Sequence, residues 1–273
     1  MNNPLSQYFR RPALHFTLPS KGSFYPAGAL DMPETGELPV YPMTAIDDIT
    51  SKTPDALFNG SAVVDIVKSC IPGIKDPWSI PSMDLDAILI AIRAATNGNE
   101  LEIISECPSC KNEGKYGVNL IQILSTIKGD DYSKLLEFGD LKIKFRPLSY
   151  KQVNKGNLIQ FEMQREIAAL EAIEDQQIRQ TKSSETIKKL SSMNMEVIAS
   201  TIDSIILPDQ IVTNLEFITE FLTQCDRNIY ESIRNTISKL RENSQTKPQK
   251  IRCVNCSHEY EQSLALNVSD FFG

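Results

Sequence analysis

Cys107-Pro108-Ser109-Cys110 and Cys253-Val254-Asn255-Cys256 decide how this 273-residue chain is read. A Cys-x-x-Cys turn places two thiolates on one side of a tight bend, and two such turns facing each other supply the four donors of a closed tetrahedral site. Each turn follows an extended stretch, Ile103-Ile104-Ser105-Glu106 before the first and Lys250-Ile251-Arg252 before the second. The pattern is that of two zinc knuckles, with Cys107, Cys110, Cys253 and Cys256 as ligands of one structural Zn2+. Rubredoxin-like iron uses the same donor set, so the metal stays open between zinc and iron. Roughly 140 residues separate the pairs, far more than a simple zinc ribbon holds, which predicts a split ribbon with a helical domain inserted between its knuckles.

Redox chemistry needs an exposed, low-pKa cysteine at a helix start, and both pairs here sit in strand-like contexts. His258, two residues beyond Cys256, could compete as a ligand, but four cysteines already saturate a tetrahedral ion, which places it outside the first shell or at the surface. The remaining cysteines, Cys70 and Cys225, lie in apolar helical patterns and read as small buried hydrophobes. With two histidines, and with His15 in a proline-rich stretch lacking a nearby nucleophile, the chain has little material for a Ser-His-Asp or Cys-His device. It carries no glycine-rich phosphate loop. A closed four-cysteine site also leaves no coordination position for a catalytic water, so the expectation is a non-enzyme.

The net charge of −7 gives no overall attraction to a polyanion. Lys111, Lys115, Lys250 and Arg252 near the knuckles keep a zinc-ribbon nucleic-acid binder as the alternative reading. No run of 18 apolar residues occurs and the amino terminus lacks a basic-then-apolar signal, which predicts a product of the cytoplasm with reduced thiols and no membrane partner.

Away from the cysteines, Pro4, Pro12, Pro19, Pro26, Pro33, Pro39 and Pro42 deny residues 1–50 a long helix and predict an extended arm. Within it Leu18 to Gly22 reads as a turn and Glu37 to Pro42 as an edge strand. Phe9, Phe16, Phe24 and Tyr25 are its aromatic anchors, for its own domain or for a partner. Val63, Ile66, Val67 and Cys70 mark one amphipathic helix. A second begins near Ser82 or Asp84, carries Leu85, Ile88, Leu89 and Ile92 inward, and stops at Asn97-Gly98. Leu101–Ile104, Lys115–Val118 and Leu141–Phe145 read as strands.

A long charged helix follows from about Ser149 to Gln180, with Val153, Ile159, Met163, Ile167, Leu170 and Ile173 near one side. Thr181-Lys182-Ser183-Ser184 interrupts it, and Ser184 caps a further antiparallel helix. Ile205–Val212 forms a hairpin, Asn214 and Asp226 cap two more helices, and Ile229, Ile233, Ile237 and Leu240 mark the last buried stripe. The predicted fold is α+β and mainly helical. Its parts are an arm over 1–50, a helical region over 51–100, a small β region with the split zinc ribbon over 101–148 and 250–273, and an inserted helical domain over 149–249.

Leu18-Pro19-Ser20-Lys21-Gly22-Ser23-Phe24-Tyr25-Pro26, Val40-Tyr41-Pro42-Met43-Thr44-Ala45-Ile46-Asp47-Asp48 and Ala91-Ile92-Arg93-Ala94-Ala95-Thr96-Asn97-Gly98 resemble segments of the baseplate proteins of T4-like tailed bacteriophages. The stretch from Cys253 to Tyr260 and the ending Phe271-Phe272-Gly273 are similar to that family's carboxyl terminus, and the resemblance is not extended to residues 150–200. The resemblance implies a component of the central baseplate hub, or a late assembly factor for it. Such a protein acts during tail morphogenesis in the host cytoplasm, with residence in the virion tail baseplate left open. Its implied partners are other hub or tail proteins, the tape-measure protein among the candidates. Nucleic acid is not an implied partner.

Overall fold

The computed structural model describes residues 4–171, 175–242 and 244–264. Phe271-Phe272-Gly273 and Ile173, singled out in the sequence, lie outside the described residues. The chain divides into two compact units, Met1–Gly129 together with Asn243–Gly273, and Asp130–Glu242. Helix and strand are mixed in both.

In the first unit a short 3-10 turn, Pro4–Tyr8, precedes β1 (Leu14–Phe16), which pairs antiparallel with β2 (Leu38–Val40). Pro39 sits in β2, where a two-stranded ribbon leaves its missing N–H without cost. The arm is extended and closely packed: Tyr41 N–H donates to Cys70 O at 2.8 Å, and Asp31 N–H to Gly73 O at 2.7 Å. Its aromatic anchors divide. Phe16 is buried and the Tyr25 hydroxyl reaches the core, while Phe9 and Phe24 are 59% and 44% exposed. The turn at Leu18–Gly22 closes with Lys21 N–H on Leu18 O at 2.9 Å.

Three helices follow: α1 (Ala45–Ser51), α2 (Pro54–Phe58) and α3 (Ser61–Cys70). Thr44 and Asp47 form a reciprocal capping box on α1. Val63, Ile66, Val67 and Cys70 of α3 are all buried, as their spacing predicts. Helix α4 (Ser82–Asn97) is the centre of the unit, with every residue from Ala87 to Ile92 buried, and it stops at Gly98, whose φ of +88° needs a residue without a Cβ. Neither Ser82 nor Asp84 caps it. Pro81 occupies the cap position, and Asp84 turns inward to a second task.

That task is to hold the arm. Asp84 is fully buried, and it accepts hydrogen bonds from Ser20 N–H at 2.7 Å, Ser20 Oγ at 2.5 Å and Tyr25 Oη at 3.1 Å. Burial outweighs these donors and raises its pKa to about 6. A second polar node fixes the arm's other end. Arg10 donates to Pro42 O at 2.5 Å and Ser69 O at 2.7 Å, and lies 3.5 Å from Asp47 and 5.7 Å from the centroid of the Tyr41 ring. Cys70 lies beside Arg10. Burial, then Asp47, pushes its thiol up to about 12, in keeping with an inert core cysteine.

After α4 the chain forms the hairpin of β3 (Glu100–Glu106) and β4 (Glu113–Asn119), then α5 (Leu120–Thr126), capped by the Asn119 side chain. The carboxyl-terminal hairpin of the same unit pairs the last two strands, Gln249–Arg252 and Glu259–Gln262.

The second unit contains a four-stranded antiparallel sheet in the order β5 (Leu136–Phe138), β6 (Leu141–Phe145), β7 (Ile202–Ile206), β8 (Ile211–Val212). Ile143 and Phe145 of β6 are buried and Lys144 is exposed, the alternation read from the sequence. Between β6 and β7 runs a helical hairpin, α6 (Tyr150–Glu171) and α7 (Gln176–Ser200). Exposed ion pairs Lys155–Glu196 and Lys189–Glu166 link its two antiparallel helices.

The predicted interruption at Thr181-Lys182-Ser183-Ser184 does not occur, because α7 passes through all four residues and Ser184 caps nothing. Serine and threonine lower helix propensity by only a few tenths of a kcal/mol and do not break a helix. The start lies earlier, where the Asp175 carboxylate accepts from Gln177 N–H at 2.9 Å. Ile167, assigned to a buried side, is 44% exposed, whereas Met163 is buried. Asn214 caps α8 (Leu215–Gln224) and Asp226 caps α9 (Arg227–Glu242), as expected. Of the last stripe Ile233 is fully buried, with Ile229, Ile237 and Leu240 half-buried.

Candidate metal centre

The carboxyl-terminal hairpin strands are β9 (Gln249–Arg252) and β10 (Glu259–Gln262), and the two Cys-x-x-Cys turns join β3 to β4 and β9 to β10. The turns are built alike. Cys107 N–H donates to Asn112 O and Lys111 N–H to Cys107 O. Cys253 N–H donates to His258 O and Ser257 N–H to Cys253 O. All four distances are 2.9 Å. The residue after each second cysteine is left-handed, Lys111 at φ 60° and Ser257 at φ 59°. This brief reversal swings the following amide back toward the sulfurs.

The amides of Asn255 and Cys256 donate to Cys253 Sγ, that of Asn112 to Cys110 Sγ, and that of His258 to Cys256 Sγ. The Cys256 and Asn255 amides lower the Cys253 thiol to about 6, and the Asn112 amide, then the Asn255 side chain, lowers Cys110. Four sulfurs this close compete for protons. At Cys256 the His258 amide favours the thiolate, but burial and the other three thiols win and raise it to about 11. Amides aimed at sulfur are what a thiolate site needs to spread its charge.

The structure brings the two pairs together. Cys107 Sγ lies 3.7 Å from Cys256 Sγ and Cys110 Sγ 3.6 Å from Cys253 Sγ, and all four sulfurs fall within 4.8 Å of one another. For a tetrahedral ion with metal–sulfur bonds of about 2.3 Å, adjacent sulfurs stand about 3.8 Å apart. The cluster therefore fits a four-coordinate, thiolate-bound cation. Cys107 and Cys253 are buried and Cys256 is exposed, so the site lies at the surface with one side covered.

Contacts between the hairpins add a polar frame that the sequence alone did not reveal. Asn255 Nδ2 reaches Cys110 Sγ at 3.7 Å, Ser105 Oγ donates to Gln262 Oε1 at 2.7 Å, and Tyr260 Oη lies 3.1 Å from Ser105 Oγ. Only the cysteine spacing signals the site in sequence; Ser105, Asn255 and Gln262 are ordinary hairpin residues until the fold pairs them. His258 is exposed and serves through its backbone.

The basic residues behind the nucleic-acid alternative face acids. Lys111 pairs with Glu106 at 3.3 Å and Lys115 with Glu102 at 2.6 Å, while Lys250 and Arg252 stand opposite Glu261 and Glu259 across the ladder. Such pairing cancels the local field that a polyanion would seek.

Neither the curated proteins nor the solved structures return a match to this chain. A family model described as T4 bacteriophage base plate protein matches residues 40–273, a span that holds α1 to α9 and both knuckles. The chain belongs to the T4 bacteriophage base plate protein family.

Proposed function

We propose that the protein is a non-enzymatic component of the baseplate hub, or an assembly factor for it, whose first unit is clamped by a structural zinc ion on Cys107, Cys110, Cys253 and Cys256. The family match over residues 40–273 carries the reading, and baseplate membership implies interaction with other tail proteins. The four-sulfur geometry supports the clamp. Zinc is the metal proposed because four thiolates in two knuckles are the donor set of closed structural zinc sites; iron takes the same ligands, and metal analysis separates the two. Among the described residues no helix is long and apolar enough to cross a membrane. The setting proposed is the host cytoplasm during tail assembly, with other hub or tail proteins as partners and the tape-measure protein a candidate among them.

Two measurements test this. Elemental analysis of protein purified without added metal should give one zinc per chain; iron would overturn the zinc assignment, and no metal would overturn the clamp. Co-expression with hub proteins and the tape-measure protein should yield a co-purifying complex; its absence with every one of them would overturn the binding role. A salt-dependent shift of DNA or RNA would return the nucleic-acid alternative to consideration.

A further inference from the structure

Arg93 projects from the central helix α4, within the Ala91–Gly98 segment noted in the sequence. Its Nε and Nη1 are buried with no hydrogen-bond acceptor. Burial is the sole influence on its pKa, which it lowers, so among the described residues no carboxylate is close enough to compensate the charge. The other two ionisable groups on α4's inward side are satisfied: Asp84 by Ser20 and Tyr25, and Asp86 by the Thr246 backbone amide. Asp86 sits two turns from Arg93, about 10 Å along the axis, too far for an ion pair.

Two guanidinium N–H groups covered without acceptors are a cost to the fold. A water molecule would answer one N–H and leave the charge uncompensated. A carboxylate supplies the counter-charge and accepts from one edge of the guanidinium, the one that carries Nε or the one that carries Nη1. Arg93 is half-buried rather than sealed, so a group arriving from outside can reach it with a local shift.

We propose that Arg93 is the receptor for a carboxylate carried by an acidic side chain of a partner tail protein. The proposal rests on the binding role stated above and assigns that role a residue. It gives the contact selectivity, since a partner presenting an acid at this point supplies a counter-charge that the described residues do not. An arginine that is covered and unpaired before binding, and paired afterwards, has the makings of an interface hot spot.

The experiment compares wild type with Arg93→Met and Arg93→Lys in two assays. The first is thermal melting of the free protein, and the second is affinity for whichever tail protein co-purifies with wild type. Arg93→Met should melt at the same or a higher temperature, because an unpaired buried charge is gone, yet bind on the order of tenfold or more weaker; Arg93→Lys should fall between. Higher stability with weaker binding is a combination that a merely structural arginine does not give.

Unchanged affinity in Arg93→Met would overturn the proposal while leaving the binding role intact. A markedly lower melting temperature would also overturn it, by showing that the free chain already satisfies the guanidinium. If wild type binds no tail protein, the binding role fails by itself, and sodium glutamate against equal sodium chloride then probes the receptor. Extra stabilisation by glutamate in wild type, lost in Arg93→Met, supports it, and equal responses overturn it.

Discussion

Around α4, Ile88, Ile90 and Ile92 are each fully buried, whereas in the two knuckle hairpins the covered residues are chiefly Ser105, Cys107, Val118, Ile251 and Cys253. Both regions belong to the first unit, but they cohere by different means. The helical region removes a continuous apolar surface from water and then adds two polar nodes, Arg10 with Asp47 and Asp84 with Ser20 and Tyr25. The knuckles are two-stranded hairpins, which on their own are marginal in water. Besides the cysteines they cover only Ser105, Val118 and Ile251, so the proposed cation stands where a larger core would otherwise be. Apolar burial thus organises the part of the unit nearer the amino terminus, and in the proposed clamp coordination would organise the part that ties back the distant carboxyl-terminal hairpin.

The most disruptive way to break this contrast is Cys253→Ser or chelation. A structural zinc site contributes on the order of 10 kcal/mol, so β3–β4 and β9–β10 should become open to limited proteolysis while peptides from α3 and α4 stay protected. Simultaneous loss of both sets would show one cooperative block and abolish the distinction. Next in size is Ile90→Ala, which opens a cavity in the helical region and should cost about 2–5 kcal/mol in urea denaturation with the metal still bound.

Asp84 gives the third effect, and its sign is unusual. Its folded pKa, about 6, lies above the ordinary 3.8, so the folded state holds its proton more tightly than the unfolded one. The group is most favourable to folding below pH 3.8. That contribution is lost as pH rises through 6, a change of about 3 kcal/mol for about two units. Stability measured at pH 4 and pH 7.5 should therefore differ between wild type and Asp84→Asn by roughly that amount, and a pH-independent difference would show the carboxylate to be ordinary. Smallest is Lys115→Met, which removes an exposed pair with Glu102 and should leave the urea midpoint essentially unchanged. A larger loss would mean that surface charge, and not coordination, holds the hairpin.

Local signals account for what the sequence made legible. The i, i+3, i+4 spacing of Val63, Ile66 and Val67 found α3, the apolar run Ala87–Ile92 found the central helix, and the paired cysteines found the sulfur cluster. What escaped was set by long-range pairing. Nothing about Asp84 announces that it will meet Ser20, 64 residues earlier, instead of capping its own helix. Likewise β6 and β7 become neighbours only after a helical hairpin of some fifty residues has folded between them. The break between α6 and α7 was misplaced because Thr181 to Ser184 has the composition of a loop while the neighbouring turns supply enough helix formers to carry through it. At the site, Lys111 and Ser257 adopt left-handed backbones without being glycine or asparagine, and no sequence rule flags them.

The separation of the two knuckles has a consequence in time. Cys110 and Cys253 are 143 residues apart, so a ribosome adding about 5–20 residues per second delivers the second pair roughly 7–30 s after the first. Throughout that interval the nascent chain displays an orphan dithiol, able to scavenge metal weakly or to oxidise, and the loop closes only once the whole of residues 130–242 has emerged.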